Sequence, residues 1–391
     1  MDIRALLLIG GAAGDGPQAS ERVNGVAVAY LDVLGRPVLE RVLERLRSYG
    51  ITMATVIGEA AEPTSWAHAK PGPSGVARIQ VAGERLWQCA EESFLRYAED
   101  GADLVVALRL GPYVEVDYEA LVQHHLDHYG SVSRAVDRNG AGVDLFVLNA
   151  SARQDAAALF QNRLRRMRRE GTPFRVPGYV NRLQTASDLR RLALDGLLAR
   201  NAVRPEGTEL KPGVWVGWRA RIHRRARVIA PAFIGDHAKI RAAALITRGT
   251  VIEHHAEVDC GTVVENSTVL PFSRIGAGLD VMHSVVGFRR LAHLQRATEV
   301  EIADEKFIGM APLTAFSRWA GSTAALFAFL STQFSRGLLA KSQRRNAAQT
   351  PEPLEGGPAT LEAQVLEVPA TAAETSEFPS NLAVARRYGD Q

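Results

Sequence analysis

The stretch DLVVALRLGPYVEVDYEA (103–120) places acidic side chains just beyond what looks like a buried strand. In open α/β folds, ligands and metals usually bind in the loop that follows the carboxyl end of a strand. A metal site there would need a carboxylate, but the loop begins with Gly111-Pro112. Glu115 and Asp117 are the nearest acids. Asp117 also has a structural interpretation, as the N-cap of the helix that follows.

Alternating strand-like and helix-like segments over residues 1 to about 200 would position this loop. The predicted strands are 5–9, 53–58, 103–109 and 143–148, and the predicted helices are 37–48, 84–98, 117–129, 151–169 and 185–200. Such alternation is typical of the α/β class, with a mostly parallel sheet and helices on both of its faces.

From Val216 the sequence changes to a repeat of six residues that runs through nine hexads in phase. The first position of each hexad is aliphatic: Val216, Ile222, Val228, Ile234, Ile240, Ile246, Ile252, Val258 and Val264. The fifth position is always Ala or Thr, from Ala220 to Thr268. This hexapeptide pattern predicts a parallel β-helix in which each hexad forms one side of a three-sided coil. The phase loosens from Leu270, and we expect about one further coil.

Four domains are predicted along the chain: an α/β domain over 1–203, the β-helix over 204–310, an amphipathic helix over 311–345 and a disordered tail over 346–391. Apolar residues at spacings of three and four indicate the helix, and few large apolar residues indicate the disorder. The stretch 313–341 is expected either to cap the β-helix or to contact a partner protein or a membrane surface.

Composition narrows the classes of function. The chain has 391 residues, 46% of them hydrophobic and 23% charged, with a net charge of +3, which does not indicate a nucleic-acid partner. Cys89 and Cys260 are expected to be buried and inert. Two cysteines and no apolar run of membrane-spanning length favour a cytoplasmic protein, or one bound peripherally to the inner face of the membrane. The N-terminal apolar run is interpreted as a first strand and not as a signal peptide.

The order of these regions resembles the sugar-phosphate nucleotidyltransferases, which include mannose-1-phosphate guanylyltransferases and glucose-1-phosphate adenylyl- and uridylyltransferases. The resemblance covers residues 1 to about 310 and lies in LLLIGG, LDVLGRPVLERVLERL, VEVDYEALVQHH, PGYVNRLQTASDL and VVENSTVLPFSRIGAGLDVMHSVVG. It implies a Rossmann-like parallel-sheet domain of the nucleotidyltransferase type, followed by a left-handed parallel β-helix. It also implies a reaction in which a sugar 1-phosphate attacks a nucleoside triphosphate and releases pyrophosphate, with Mg²⁺ as cofactor.

The resemblance implies four charged groups: an arginine in the glycine-rich loop, a lysine before the first helix, and two aspartates that hold Mg²⁺. Their positions are occupied by Asp15, Val28, Pro112 and Arg182. None of the four implied charges is kept, and two are replaced by the opposite sign.

What remains of the implied nucleotide-binding backbone is glycine: Gly10, Gly11, Gly14 and Gly111. We therefore expect a protein without catalytic residues and without a metal. Its expected role is regulation or scaffolding in sugar-nucleotide or cell-surface polysaccharide biosynthesis. A nucleotide or nucleotide sugar is the expected ligand, and the β-helix is expected to form a homo- or hetero-oligomer.

Two enzymatic alternatives stay open. In the first, the nucleotidyltransferase is active and Mg²⁺ is held by rearranged ligands, namely Glu115, Asp117 and Asn181. In the second, the repeat forms an acyltransferase with a histidine as general base. The candidate histidines are His223, His237, His254 and His255, all expected at outward positions of the repeat.

Two basic clusters also have two interpretations. One is the run 163–169, and the other lies on the first hexads: Arg219, Arg221, Arg224, Arg225 and Arg227. Each is either a solvated surface or a contact with an anionic partner, such as a membrane surface or a phosphorylated ligand.

Overall fold

The first half of the chain is built around one sheet. The computed structural model describes residues 1–10, 22–23, 26–59, 75–82, 85–128, 132–150, 171–287 and 289–311. The strands of the first half are β1 (Ile3–Ile9), β2 (Arg22–Val23), β3 (Val26–Ala27), β4 (Asp32–Val33), β5 (Arg36–Pro37), β6 (Ala54–Glu59), β7 (Val76–Val81), β8 (Leu104–Arg109), β9 (Tyr113–Val114), β10 (Val132–Val136), β11 (Gly142–Asn149), β12 (Thr172–Arg175) and β13 (Val180–Asn181).

Seven of these strands form the sheet in the order β12-β10-β11-β8-β1-β6-β7. The strands are parallel except β11, which pairs antiparallel with both of its neighbours. The central strand β1 is buried from Ala5 to Ile9, as expected for a parallel strand that is covered on both faces. The predicted α/β class with a mostly parallel sheet is confirmed.

The described helices are α1 (Val38–Ser48), α2 (Leu86–Glu99), α3 (Tyr118–Asp127) and α4 (Ala186–Leu197). Their positions confirm four of the five predicted helices, and the fifth, at 151–169 with its basic run, lies outside the described residues. No helix in the described part of the chain is long and apolar enough to cross a membrane.

The second half, which we call the stacked region (residues 208–311), consists of short strands. They are β14 (Thr208–Lys211), β15 (Val214–Val216), β16 (Arg221–Ile222), β17 (Arg227–Val228), β18 (Ala232–Ile234), β19 (Lys239–Ile240), β20 (Leu245–Thr247), β21 (Thr250–Ile252), β22 (Glu257–Val258), β23 (Val263–Glu265), β24 (Thr268–Val269), β25 (Ser273–Ile275), β26 (Asp280–Met282), β27 (Ser284–Gly287), β28 (Arg290–His293), β29 (Thr298–Glu301) and β30 (Ile308–Met310).

From β15 to β27, each strand pairs in parallel with the strand three places later, so that the chain visits three sheets in turn. Val216 pairs with Ile234, eighteen residues further along, and Ile222 pairs with Ile240 in the next sheet. Three successive strands therefore form one layer of the stack. The aliphatic first positions of the hexads form a shared core from Ile234 onward, together with the small fifth positions.

The repeat is one residue shorter at two points after the third layer, and this explains why it loses its phase. Val264 pairs with Val281, and Val269 pairs with Val286, in both cases seventeen residues apart instead of eighteen. The buried aliphatic positions continue at Val269, Ile275, Val281 and Val286. The spacing is therefore five residues from Val264 to Val269 and from Val281 to Val286, and six residues between these two steps.

The two ends of the stack differ. Before the first layer, β14 pairs antiparallel with β15. After the last layer, β28 and β29 extend the same sheet by antiparallel pairing, and β30 pairs antiparallel with β25. The stretch 313–341, predicted as a cap or a contact surface, lies outside the described residues.

We expect Ile252→Ala to destabilise the protein by about 2–5 kcal/mol, because Ile252 is fully buried in the core of the stack and its truncation leaves a cavity. Ile229→Ala is the matched control; since Ile229 is exposed, we expect a change of less than about 0.5 kcal/mol. Urea unfolding followed by circular dichroism measures both. Equal losses for the two variants would contradict the assignment of the interior positions.

Candidate functional site

The loop after β8 contains Pro112, the position that the resemblance assigns to the first metal aspartate. Pro112 lines a cavity of about 10 Å³ together with Arg45, Arg109 and Tyr113. That volume is room for about one water molecule. Gly111 is not required sterically, since a Cβ atom there would meet no atom within 4 Å. This cavity is lined by no carboxylate and is too small for a nucleotide.

Both carboxylates that follow Pro112 are used to hold the backbone. Asp117 accepts a hydrogen bond from Ala120 N at 3.1 Å, which confirms its predicted role as the N-cap of α3. Glu115 Oε1 accepts from Ala202 N at 2.5 Å and from the Tyr113 hydroxyl at 3.3 Å. Glu115 therefore fixes the segment between α4 and β14 against the loop.

Asn181, the third candidate ligand, is buried in a local network. Its Oδ1 accepts from Leu183 N at 2.9 Å, and its Nδ2 donates to the Asp188 carbonyl oxygen at 2.9 Å. These bonds shape the entry into α4, where Leu183 adopts a positive φ of 49°. Asn181 and Tyr113 face each other across the short β9–β13 pair, but the oxygen that could bind a metal is already engaged.

Arg182 occupies the position that the resemblance assigns to a second metal aspartate, and its charge is balanced locally. Its Nη2 donates to Asp137 Oδ2 at 2.5 Å. The other oxygen of Asp137 accepts from Asn139 N and Ala141 N in the turn between β10 and β11. The hydrogen bond from Arg182 is the main reason that the pKa of Asp137 lies below its ordinary value.

The remaining implied positions lie near the start of the chain. Gly10 ends β1 with a positive φ of 93°, whereas Gly11, Gly14 and Asp15 lie outside the described residues. Val28 is buried in a short 3-10 turn at Val28–Tyr30. Among the described residues, no group of three or more His, Cys, Asp or Glu side chains has the arrangement of a metal site.

The sequence did not predict a buried acidic cluster between the sheet and the stack. Glu253 follows β21 and accepts hydrogen bonds from Leu34 N at 2.8 Å and from Gly35 N at 2.9 Å, one on each carboxylate oxygen. Leu34 and Gly35 form the tight turn between β4 and β5, with φ values of 55° and 89°. Two neighbouring N–H groups in such a turn form a concave anion-binding site.

His254, beside Glu253, was predicted at an outward position, and that prediction is wrong. The ring is buried, and its Nδ1 lies against a carboxylate oxygen of Asp32, which is also buried. The reason is that β4 and its turn to β5 cover this corner of the stack, a contact that the hexad pattern does not contain. The burial of Glu253 and His254 gives no signal in the sequence, because charged and polar residues are usually exposed.

Arginines complete this junction. Arg41 donates to the carbonyl oxygens of Val33 and Arg204, and so ties α1 to the segment that leads into the stack. Arg190 of α4 donates to Asn266 Oδ1 at 2.9 Å. Burial lowers the pKa of Arg190 to about 10.

His237 and His255 lie at one corner of the stack. His237 and His255 stack with ring centroids 4.7 Å apart, and Phe272 stacks on His255 at 4.9 Å. These three residues occupy the same corner of successive layers, each with a φ near 57°. His237 and His255 are half-buried in this column, whereas His223 is exposed as predicted. The prediction that Cys260 is buried is wrong, because it lies at an exposed corner, while Cys89 is half-buried.

We expect Asn181→Asp to destabilise the protein by about 1–3 kcal/mol, because the new carboxylate would face the Asp188 carbonyl that Nδ2 now donates to. Added Mg²⁺ should not restore the melting temperature, which scanning fluorimetry measures. Gln295→Glu, at an exposed turn, is the control for the added charge. A rise in the melting temperature of N181D with Mg²⁺ would indicate a metal site.

The Glu253 cluster should make stability depend on pH. Burial raises the pKa of Glu253 to about 8 from an ordinary 4.5, so the folded protein keeps a proton that the unfolded chain releases. Stability should therefore fall as pH rises through this window. Burial lowers the pKa of His254 from 6.5 to about 3, which has the opposite effect below pH 6.5. Of these two effects, that of Glu253 is the one that remains between pH 6.5 and about 8.

We accordingly expect the melting temperature of the wild type to fall between pH 6.5 and about 8, and Glu253→Gln to flatten that slope. The slope is the readout, because glutamine also loses an acceptor for the turn. Glu299→Gln, at an exposed position, should keep the wild-type slope. If the melting temperature of E253Q fell with pH as steeply as that of the wild type, Glu253 would not be the cause of the pH dependence.

Comparisons with known proteins do not place the chain in a family. No family model matches the sequence, and no curated protein matches it either. The candidate site is therefore interpreted from its own geometry.

Proposed function

We propose that this protein is a noncatalytic relative of the sugar-phosphate nucleotidyltransferases, with a Rossmann-like sheet domain and a left-handed β-helix. The mostly parallel seven-stranded sheet supports the first domain. The rotation of strands among three parallel sheets at a spacing of eighteen residues supports the β-helix.

The ion pair between Arg182 and Asp137 carries the proposal that catalysis is lost. Transfer of a nucleotidyl group depends on positioned cations that neutralise the charge on the phosphates, with Mg²⁺ held by carboxylates. Where a carboxylate would bind Mg²⁺, this chain has a guanidinium with its own counterion. Glu115, Asp117 and Asn181 cannot replace it without giving up the backbone contacts that they make.

The proposed role is regulatory or scaffolding, in sugar-nucleotide or cell-surface polysaccharide biosynthesis. In the resembled family, inactive subunits pair with active ones and sense the nucleotide sugar. The buried junction supports this role, because the turn at Leu34-Gly35 and α4 both contact the stack directly. A ligand that shifts β4, β5 or α4 on binding would therefore also shift the stacked region, and no reaction would be required.

The test is an assay for pyrophosphate release with the full-length chain, Mg²⁺, each of the four common ribonucleoside triphosphates and dTTP, and glucose, mannose or N-acetylglucosamine 1-phosphate. We expect no release above the background without protein, because the described part of the chain has no group of three or more His, Cys, Asp or Glu side chains that could hold the metal. Scanning fluorimetry with the corresponding nucleotide sugars tests binding separately. Turnover that Glu115→Gln or Asn181→Ala abolishes would establish the active alternative instead.

A further inference from the structure

The first layer of the stacked region carries a set of exposed basic and apolar side chains that the proposed function does not use. We call this surface the cationic end. It consists of Leu210, Trp218, Arg219, Arg221, Arg224, Arg225, Arg227 and Ile229. These residues lie on β14, on the first-layer strands or at the corners between them, so they surround one end of the stack.

Basic side chains outnumber acidic ones at this end of the stack. Residues 208–229 contain six Lys and Arg but a single acid, Glu209. In the described part of the chain, none of Arg221, Arg224, Arg225 and Arg227 forms an ion pair. Basic residues of later layers differ, because they pair with acids of an adjacent layer: Arg241 and Lys239 with Glu257, Arg248 with Glu265, and Arg274 with Asp259.

Large apolar side chains protrude at the same end. Leu210 is 64% exposed, Trp218 55% and Ile229 43%. The Arg219 guanidinium lies over the Trp218 ring, 4.1 Å from its centroid, so that the cation and the aromatic ring form one unit. Ile222 and Val228, which point into the stack, are only half-buried because no layer covers them.

We propose that the cationic end binds the surface of an anionic lipid bilayer. The exposed arginines would bind lipid phosphates, Trp218 would lie at the level of the headgroups, and Leu210 and Ile229 would enter the boundary of the acyl chains. A soluble polyanion would match the arginines but not the apolar side chains. An extended anionic surface with an apolar interior matches both.

The experiment is sedimentation of the full-length chain with vesicles of phosphatidylcholine, with and without phosphatidylglycerol. We expect binding only to the anionic vesicles, weakened by salt. Arg224→Glu combined with Arg225→Glu should weaken binding by about thirtyfold or more, as each basic residue near the surface contributes about fivefold. The matched control is Arg290→Glu with Arg296→Glu, two exposed arginines at the opposite end of the stack, which should bind within about twofold of the wild type.

A second readout locates the contact. Anionic vesicles should shift the tryptophan emission of the wild type to the blue, and Trp218→Phe should lose most of that shift. Equal loss of binding in both double variants would overturn the proposal in favour of an effect of net charge. Unchanged binding in R224E/R225E would assign the contact to another segment. Binding to soluble dextran sulfate but not to anionic vesicles would identify a polyanion as the partner.

Discussion

The hydrogen bonds from the Leu34-Gly35 turn to the Glu253 carboxylate hold the two halves of the molecule in one arrangement. Glu253 is fully buried, so it cannot exchange these donors for water without separating the halves. The carboxylate also stabilises the turn, because Leu34 is a non-glycine residue held at an unfavourable positive φ. A buried acid adds little net stability, but it is costly to leave without its donors. This makes the contact specific for one relative position of sheet and stack.

The polar side chains at the predicted metal-ligand positions hold the backbone or pair with other side chains. Glu115 and Asp117 hold backbone N–H groups, Asn181 shapes a helix entry, and Arg182 neutralises Asp137. Each of these groups is satisfied within the fold. Polar groups that are already hydrogen-bonded within the fold stabilise it. A catalytic site differs, because it keeps polar groups available for a substrate at some cost in stability.

Local patterns predicted much of the fold. The hexads located the buried positions of the stack because a fixed period maps each residue type to one position, and Asp117 was recognised as a helix cap from its neighbours alone. The direction of β11 could not be predicted, because periodicity does not distinguish parallel from antiparallel pairing. The burial of Glu253 and His254 depends on which corner of the stack meets the sheet. That is a long-range contact, and the sequence around them looks like surface.

The spacing of eighteen residues between paired positions has a consequence for distance. Parallel strands in adjacent layers lie about 4.8 Å apart, so the number of layers between two features sets how far apart they are. Glu253 lies in the third layer and Trp218 in the first, so two interlayer steps of roughly 10 Å in total separate the sheet contact from the cationic end. The number of layers in the stacked region thus sets this distance. Gain or loss of one layer of three hexads between these two places would change their separation by about 4.8 Å.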